Sequence, residues 1–362
     1  MNILYDSHTF SEQTFGGISR YFVELINHLP PECRPHIPLI ASENEYLKLL
    51  EEKKSAISLR HFPEHRKLYY FINGFADRHA LRTKSYDIFH PTGYDPYFIG
   101  KTKSPVVVTV HDMIYHEGLI SGKHTSEIIE NMRKTTLAAD RIIAISDATK
   151  RAILRFYDID ESKIDVIHHG FTPVSGNTEK LGYCPERYLL FVGQRGGYKN
   201  FATLLKAFSK IAQKDKTLNL MCTGRAFSKA ENNRIAELGL SGRCHHHFIP
   251  TEDMNALYAN AECFIFPSKM EGFGMPILEA FAARCPAVIS ETSCFPEIAG
   301  DGGIYFNPEN PDELAEKIML TINNLCFRRK KIEDGERELK RFSWSKTGNE
   351  TAETYSKVLQ GI

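Results

Sequence analysis

The chain has 362 residues, of which 42% are hydrophobic and 25% charged, and its 45 Lys+Arg equal its 45 Asp+Glu. That length is too great for one ordinary core and suits two domains of about 150–200 residues each. A balanced charge provides no global field for nucleic acid or an anionic membrane, so nucleic acid is not an expected partner and any membrane affinity has to be local.

Short apolar runs alternate along the chain with longer helical patterns. In the first half the runs fall at 3–5, 36–40, 88–90, 106–110, 142–145 and 164–167. In the second half they fall at 188–192, 218–222, 244–249, 263–266, 287–289 and 304–306. Helix-like stretches include 18–29, 201–211, 254–259, 277–283 and 312–322. Strands alternating with helices predict an α/β fold with parallel sheets, and the near-continuous apolar strands predict sheets covered on both faces. The pattern restarts once, after a turn-rich stretch at 172–186 that reads as a hinge. Two doubly wound domains are therefore expected, at 1–172 and 173–343, with a last helix after the single tryptophan, Trp344.

No run reaches the roughly 18–20 apolar residues of a membrane span. The opening Met1-Asn2-Ile3-Leu4-Tyr5-Asp6 reads as a buried strand and not as a signal peptide. The eight cysteines contain no CxxC pair, which predicts buried thiols in a reducing cytoplasm.

Four segments carry chemistry. Gly16 and Gly17 open the first long helix, where a glycine pair allows either close contact with a phosphate or sugar or simply a tight turn. His111 ends the strand at 106–110, followed by Asp112 as a candidate orienting group. Arg195 and Lys199 flank a glycine turn after the strand at 188–192, and two cations folding toward one point would suit a diphosphate. After the strand at 263–266 comes Glu271-Gly272-Phe273-Gly274-Met275-Pro276-Ile277-Leu278-Glu279. Gly272 and Gly274 admit a ligand close to the backbone, and Pro276 suits a first helical turn. The amides from Met275 to Leu278 would face an anion, and Glu279 could accept from paired hydroxyls such as those of a ribose. One carboxylate at a helix start could merely complement the dipole; two around such a turn fit that explanation poorly.

Two further clusters are singled out. Cys244-His245-His246-His247 looks like a metal motif, but neighbouring strand residues point to opposite faces, so no metal is expected. The stretch 53–84 has eight basic residues against two acids, interleaved with Phe62, Tyr69, Tyr70, Phe71 and Phe75. It reads equally as a membrane surface and as the solvated face of an amphipathic helix.

The Glu271-to-Glu279 segment, two glutamates with seven residues between them, closely resembles the signature of the family 4 retaining glycosyltransferases. Ala283-Arg284-Cys285-Pro286 and Pro296-Glu297-Ile298 resemble that family too, with Cys285 in place of its usual glycine and His169 in place of an asparagine. The resemblance runs from Gly16 to Pro296 and implies a GT-B fold, two Rossmann-like domains facing across a cleft, with the final helix returning to the first domain. It implies a nucleotide-sugar donor bound mainly by the second domain, a saccharide or lipid-linked saccharide acceptor on the first, and no metal. By the same resemblance Arg195 and Lys199 bind the diphosphate and Glu271 holds the donor sugar, which His111 also contacts. Glu279 holds the ribose, and Gly16, Gly17, Phe273, Gly274, Met275, Pro276 and Ile277 line the donor. The base is expected near Ile249. The overall style is similar to bacterial polysaccharide mannosyltransferases, which implies GDP-mannose and a cytoplasmic enzyme, peripheral at the membrane if 53–84 docks there. A UDP-sugar transferase, an epimerase of the same fold and a non-catalytic nucleotide-sugar-binding subunit stand as alternatives.

Overall fold

The computed structural model describes residues 1–50, 56–59, 65–173 and 178–361. Part of the 172–186 hinge (174–177) and part of the basic stretch (53–55 and 60–64) thus lie outside the described residues. The chain divides into two compact units, Met1–Gly170 with Ser343–Ile362, and Phe171–Phe342.

In chain order the first unit contains β1 (Asn2–Tyr5), α1 (His8–Glu12), α2 (Gly17–Asn27), β2 (Arg34–His36), α3 (His65–Thr83), β3 (Ile88–His90) and β4 (Val107–Val110). It continues with α4 (Thr125–Leu137), β5 (Arg141–Ala144), α5 (Asp147–Phe156) and β6 (Ile164–Val166). The strands are parallel, in the orders β2-β1-β3 and β4-β5-β6, with a single bridge between Phe89 and Val106 joining the two sets. β2 lies earlier than the apolar run at 36–40. Pro38 has no amide hydrogen for a ladder, so the chain leaves the sheet there, and Asn73 Oδ1 accepts the Ile40 and Ala41 amides instead.

The second unit contains β7 (Tyr188–Phe191), α6 (Phe201–Lys214), β8 (Asn219–Thr223), α7 (Lys229–Glu237), β9 (Cys244–His247), α8 (Met254–Ala259) and β10 (Cys263–Phe266). Then come α9 (Met275–Ala282), β11 (Ala287–Ser290), α10 (Phe295–Ala299), β12 (Gly303–Phe306), α11 (Pro311–Asn323) and α12 (Leu325–Leu339). Its sheet is wholly parallel, in the order β12-β11-β10-β7-β8-β9. This is the doubly wound order whose direction reverses between β7 and β10, and ligands of such sheets bind outside the carboxyl ends of strands at that reversal. Leu189, Phe191, Leu220, Cys263, Ile265, Val288 and Ile304 pack with α6 and α11 residues into one core face.

The last helix, α13 (Trp344–Gln360), packs within the first unit. Its N-cap Ser343 accepts from the Lys346 amide, and buried Trp344 stacks on His169, which in turn stacks on Tyr21. His169, where the family usually has asparagine, thus serves as an aromatic plate between a helix and the core. Asp165 ties the helix to the sheet, accepting from Arg141, Thr354 Oγ1 and Lys357 Nζ. Deeper in, Tyr5 Oη meets Tyr355 Oη at 2.7 Å, Tyr355 Oη meets His90 Nδ1 at 2.7 Å, and His90 Nε2 meets Thr109 Oγ1 at 2.9 Å. With His90 neutral, each hydroxyl can donate one step along this buried chain. Tyr355→Phe strands both Tyr5 Oη and His90 Nδ1, so it should cost about 2–3 kcal/mol in urea unfolding. A change below 0.5 kcal/mol, roughly the value for an uninvolved surface site, would refute the relay. Among the described residues no helix is long and apolar enough to cross a membrane.

Candidate functional site

The loops after β7 and β10 flank the reversal point of the second sheet, and two bonds tie them together. The Lys269 amide donates to Tyr198 O at 2.7 Å, and Lys199 Nζ donates to Glu271 Oε1 at 2.6 Å. Both members of this ion pair are largely shielded, with 18% and 12% of their side chains exposed, so solvent screens it less than a surface pair. The Lys199 ammonium lies over the Phe266 ring at 5.6 Å, which further fixes its place.

The backbone of the Glu271 loop is held by a third loop, after β11. Ser293 Oγ donates to Glu271 O at 2.7 Å and accepts from the Glu271 amide at 3.2 Å. Cys294 Sγ, buried, donates to Phe273 O at 3.0 Å. Ser293 takes a left-handed backbone, φ 58°, to do this. The sequence reading missed these supports, and the one signal available was a run of small polar residues at the end of a strand. Phe273 is not at the surface: its ring is buried edge-on against Phe342 at 5.7 Å.

Gly274 caps α9 with φ 99°, and a Cβ there would press on Phe295 and Ile277 at 3.2 Å. Glycine is needed for both conformation and space. The first turn of α9 presents fewer donors than its sequence suggests. Pro276 has no N–H, and the Ile277 amide is spent on Gly274 O at 2.9 Å, so of the amides from Met275 to Leu278 only those of Met275 and Leu278 are not consumed in this way. Glu279, one turn on, is oriented by Tyr258 Oη, which donates to Oε2 at 2.9 Å.

The Arg195 side chain is engaged within the second unit and is 1% exposed. Nε donates to Glu231 at 2.9 Å, Nη1 to Thr223 O at 3.1 Å, and Nη2 to Arg225 O and Ala226 O at 2.6 and 3.0 Å. Phe227 covers the guanidinium at 4.7 Å. A planar fork that satisfies the last carbonyl of β8, two carbonyls of the β8–α7 loop and a carboxylate has little capacity left for a diphosphate. Glu231 is placed by its capping box with Ser228, so arginine, cap and loop form one unit. The structure thus separates the two cations: Lys199 stands at the reversal point, and Arg195 braces the neighbouring loop. Ile249 lies partly buried just past β9, which stops at His247, short of Pro250.

In the first unit, a cavity of about 380 Å³ opens at the carboxyl ends of β1, β3 and β4, lined among others by His8, Gln13, Thr92, Tyr94, His111 and Asn131. His111 is buried, its amide donates to Tyr94 Oη, and its Nε2 has no hydrogen-bond partner among the described residues. Burial pushes its pKa down to about 3, so it is a neutral imidazole at pH 7. Asp112 Oδ1 accepts the Ile114 amide, shaping the turn that follows. Gly16 precedes α2, and a Cβ there would collide with Gln13 Oε1, which accepts the Ser19 amide at 3.2 Å. The first turn of α2 is therefore already capped by a glutamine. Gly17 has open space around it.

Titration in this unit has an expected consequence for stability. Burial lowers His90 and His111 to about 3, and His169 is lowered in the same sense. Between pH 3 and 6.5 the unfolded chain binds protons that the folded chain refuses, so acid favours unfolding. Asp77 acts oppositely: burial, then the Asp6 charge, push it up to about 8. The folded chain keeps that proton while the unfolded one loses it, so stability falls as pH rises toward 8. The melting temperature should pass through a maximum near pH 6.5, where unfolded histidines stop binding protons, and Asp77→Asn should flatten the decline above it. A decline unchanged in that variant would reject the assignment.

The sequence model of the family described as "Glycosyltransferase Family 4" matches residues 15–173, and that of "Glycosyl transferases group 1" matches 180–338. The chain is 25% identical over 378 residues to O-antigen chain mannosyltransferase B of Escherichia coli, covering 94% of this chain and 95% of that one. It is 24% identical over 308 residues to the MMP alpha-(1->4)-mannosyltransferase of Mycolicibacterium hassiacum, covering 78% and 73%. Anabaena HepE, solved in complex with UDP and glucose, superposes with a TM-score of 0.75 at 18% identity, over 98% of this chain and 99% of HepE. The lipopolysaccharide outer core galactosyltransferase WaaB superposes with a TM-score of 0.67 at 17% identity, over 100% and 99%. With both halves matched and the parallel doubly wound sheets in place, the chain belongs to the family 4 glycosyltransferases and has their GT-B fold.

Proposed function

We propose that the chain transfers a hexose, with retention of anomeric configuration, from a nucleotide diphosphate sugar to a saccharide or lipid-linked saccharide in polysaccharide or lipopolysaccharide assembly. The observation that carries this reading is the Lys199–Glu271 pair between the loops at the sheet reversal, in the segment that leads into α9. As the sugar–phosphate bond breaks, negative charge grows on the diphosphate. Lys199 and the Met275 amide meet that charge as preorganised donors, and no metal is required. Glu271 holds hydroxyls of the donor sugar and Glu279 those of the ribose. The backbone near Ile249 reads the base. His111, kept neutral, offers Nε2 to a sugar hydroxyl. Arg195 is a positioning residue for the loop after β8. The acceptor hydroxyl attacks the anomeric carbon as its bond to the phosphate breaks, and the hydroxyl proton passes to the leaving phosphate oxygen.

Mannose from GDP-mannose is the favoured donor, supported by the mannosyltransferase names of the relatives. A UDP-sugar is the second reading, favoured by the UDP complexes of HepE. A thermal-shift panel with GDP, UDP, ADP and their sugars, in EDTA, separates them, because a ligand of the native state raises the melting temperature. A shift with one nucleotide family names the donor. No shift with any, in folded protein, would sink the donor site and favour a non-catalytic subunit. Product analysis by NMR then tests retention, and product formed without acceptor would indicate an epimerase.

A further inference from the structure

The helix described within the basic-aromatic stretch is α3, and its polarity is partly inverted. The face buried against the first unit carries Asn73 and Asp77 beside Tyr69, Ala80 and Leu81. Both polar groups are fully engaged there: Asn73 with the Ile40 and Ala41 amides, Ser11 and Ala41 O, and Asp77 with the Ser7 amide and hydroxyl. The opposite face shows Phe71 and Phe75, 78% and 70% exposed, with Tyr70 alongside. An ordinary amphipathic helix places these types the other way round. A single exposed apolar side chain needs no explanation, but two phenylalanines one turn apart, over a buried asparagine and aspartate, do.

The charges complete the pattern. Arg66, Lys67, Arg78 and Arg82 are all exposed, and at helical spacing 67, 71, 75, 78 and 82 form one stripe. The helix has one acid, Asp77, and it is turned inward. Water is a poor partner for the rings, and an acidic protein groove would have to match both the rings and a full stripe of cations. An anionic bilayer suits both, because rings settle at the boundary between headgroups and acyl chains while arginine and lysine meet the phosphates.

We propose that the exposed face of α3 docks the first unit on an anionic phospholipid surface, with Phe71 and Phe75 inserted and Arg66, Lys67, Arg78 and Arg82 at the headgroups. The inference is independent of the donor reading, since it concerns only where the chain sits, and it holds or fails whether or not a nucleotide sugar binds.

The test is co-sedimentation of the full chain with vesicles of phosphatidylcholine alone and of phosphatidylcholine mixed with phosphatidylglycerol, at low and high salt. Binding is expected only to the mixed vesicles, weakening as salt shortens the Debye length. Arg66→Glu with Arg82→Glu should lower partitioning by about tenfold or more. Phe71→Ser with Phe75→Ser should lower it by about tenfold while leaving the melting temperature and the circular dichroism unchanged, because neither ring is part of the core. No binding of the unaltered chain, or equal binding to both vesicle types, would overturn the proposal. So would a dimer of the unaltered chain that dissociates in the Phe71→Ser/Phe75→Ser variant, which would assign the face to a second copy.

Discussion

Replacing Lys199 with alanine is expected to lower turnover of a nucleotide-sugar donor by about 10²–10³-fold. The lysine stands between two loops at the reversal of a parallel sheet, where charge development on a diphosphate would be felt most. Its partner, Glu271, is held from behind by Ser293, so losing the lysine leaves that carboxylate in place with its nearest cation gone. The proposed diphosphate site would then present a carboxylate without its lysine partner. Lys199→Arg should recover only part of the activity, because the loop is sized for a compact ammonium lying over Phe266. Lys199→Ala and Glu271→Gln should also be strongly non-additive, since each disturbs the other's partner. Steady-state kinetics on the two single variants and the double variant decide this. Turnover within a few-fold of the parent for Lys199→Ala would remove the lysine from the mechanism.

Arg195→Ala should first be visible in stability. The guanidinium is buried, and three backbone carbonyls and Glu231 depend on it. Removing it leaves a shielded carboxylate short of a partner and the β8–α7 loop without its brace. A loss of about 3 kcal/mol is expected, the lower end for breaking a buried pair, because Glu231 keeps its cap bonds with Ser228. Arg195→Lys should restore little, since an ammonium cannot reach four acceptors spread in a plane. The measurement is urea unfolding beside turnover per folded molecule. If unfolding is unchanged and turnover collapses, the arginine leaves its internal acceptors to bind the diphosphate, and the positioning role is wrong.

The sequence alone determined the repeating architecture. Eleven of the twelve apolar runs read as strands coincide with a strand, most of them because burial on both faces writes a short continuous hydrophobic signal, while the run at 36–40 meets β2 only at His36. It also determined the loop from Glu271 to Glu279, since the φ of Gly274 and the start of α9 at Met275 and Pro276 are local demands. What it did not determine was direction. Arg195 and Lys199 are four residues apart on one turn, yet one faces the reversal point and the other the β8–α7 loop. The reason lies in Glu231 and the carbonyls of 223–226, which are remote in sequence and adjacent only once β8 pairs with β7. The support of Glu271 by Ser293 has the same origin, as does the inverted face of α3, where Asp77 is buried because Ser7 awaits it at the end of β1. Local chemistry decides which element forms and which residue types are available. Pairing between distant segments decides which of their polar groups are consumed inside the fold and which are left to meet a ligand.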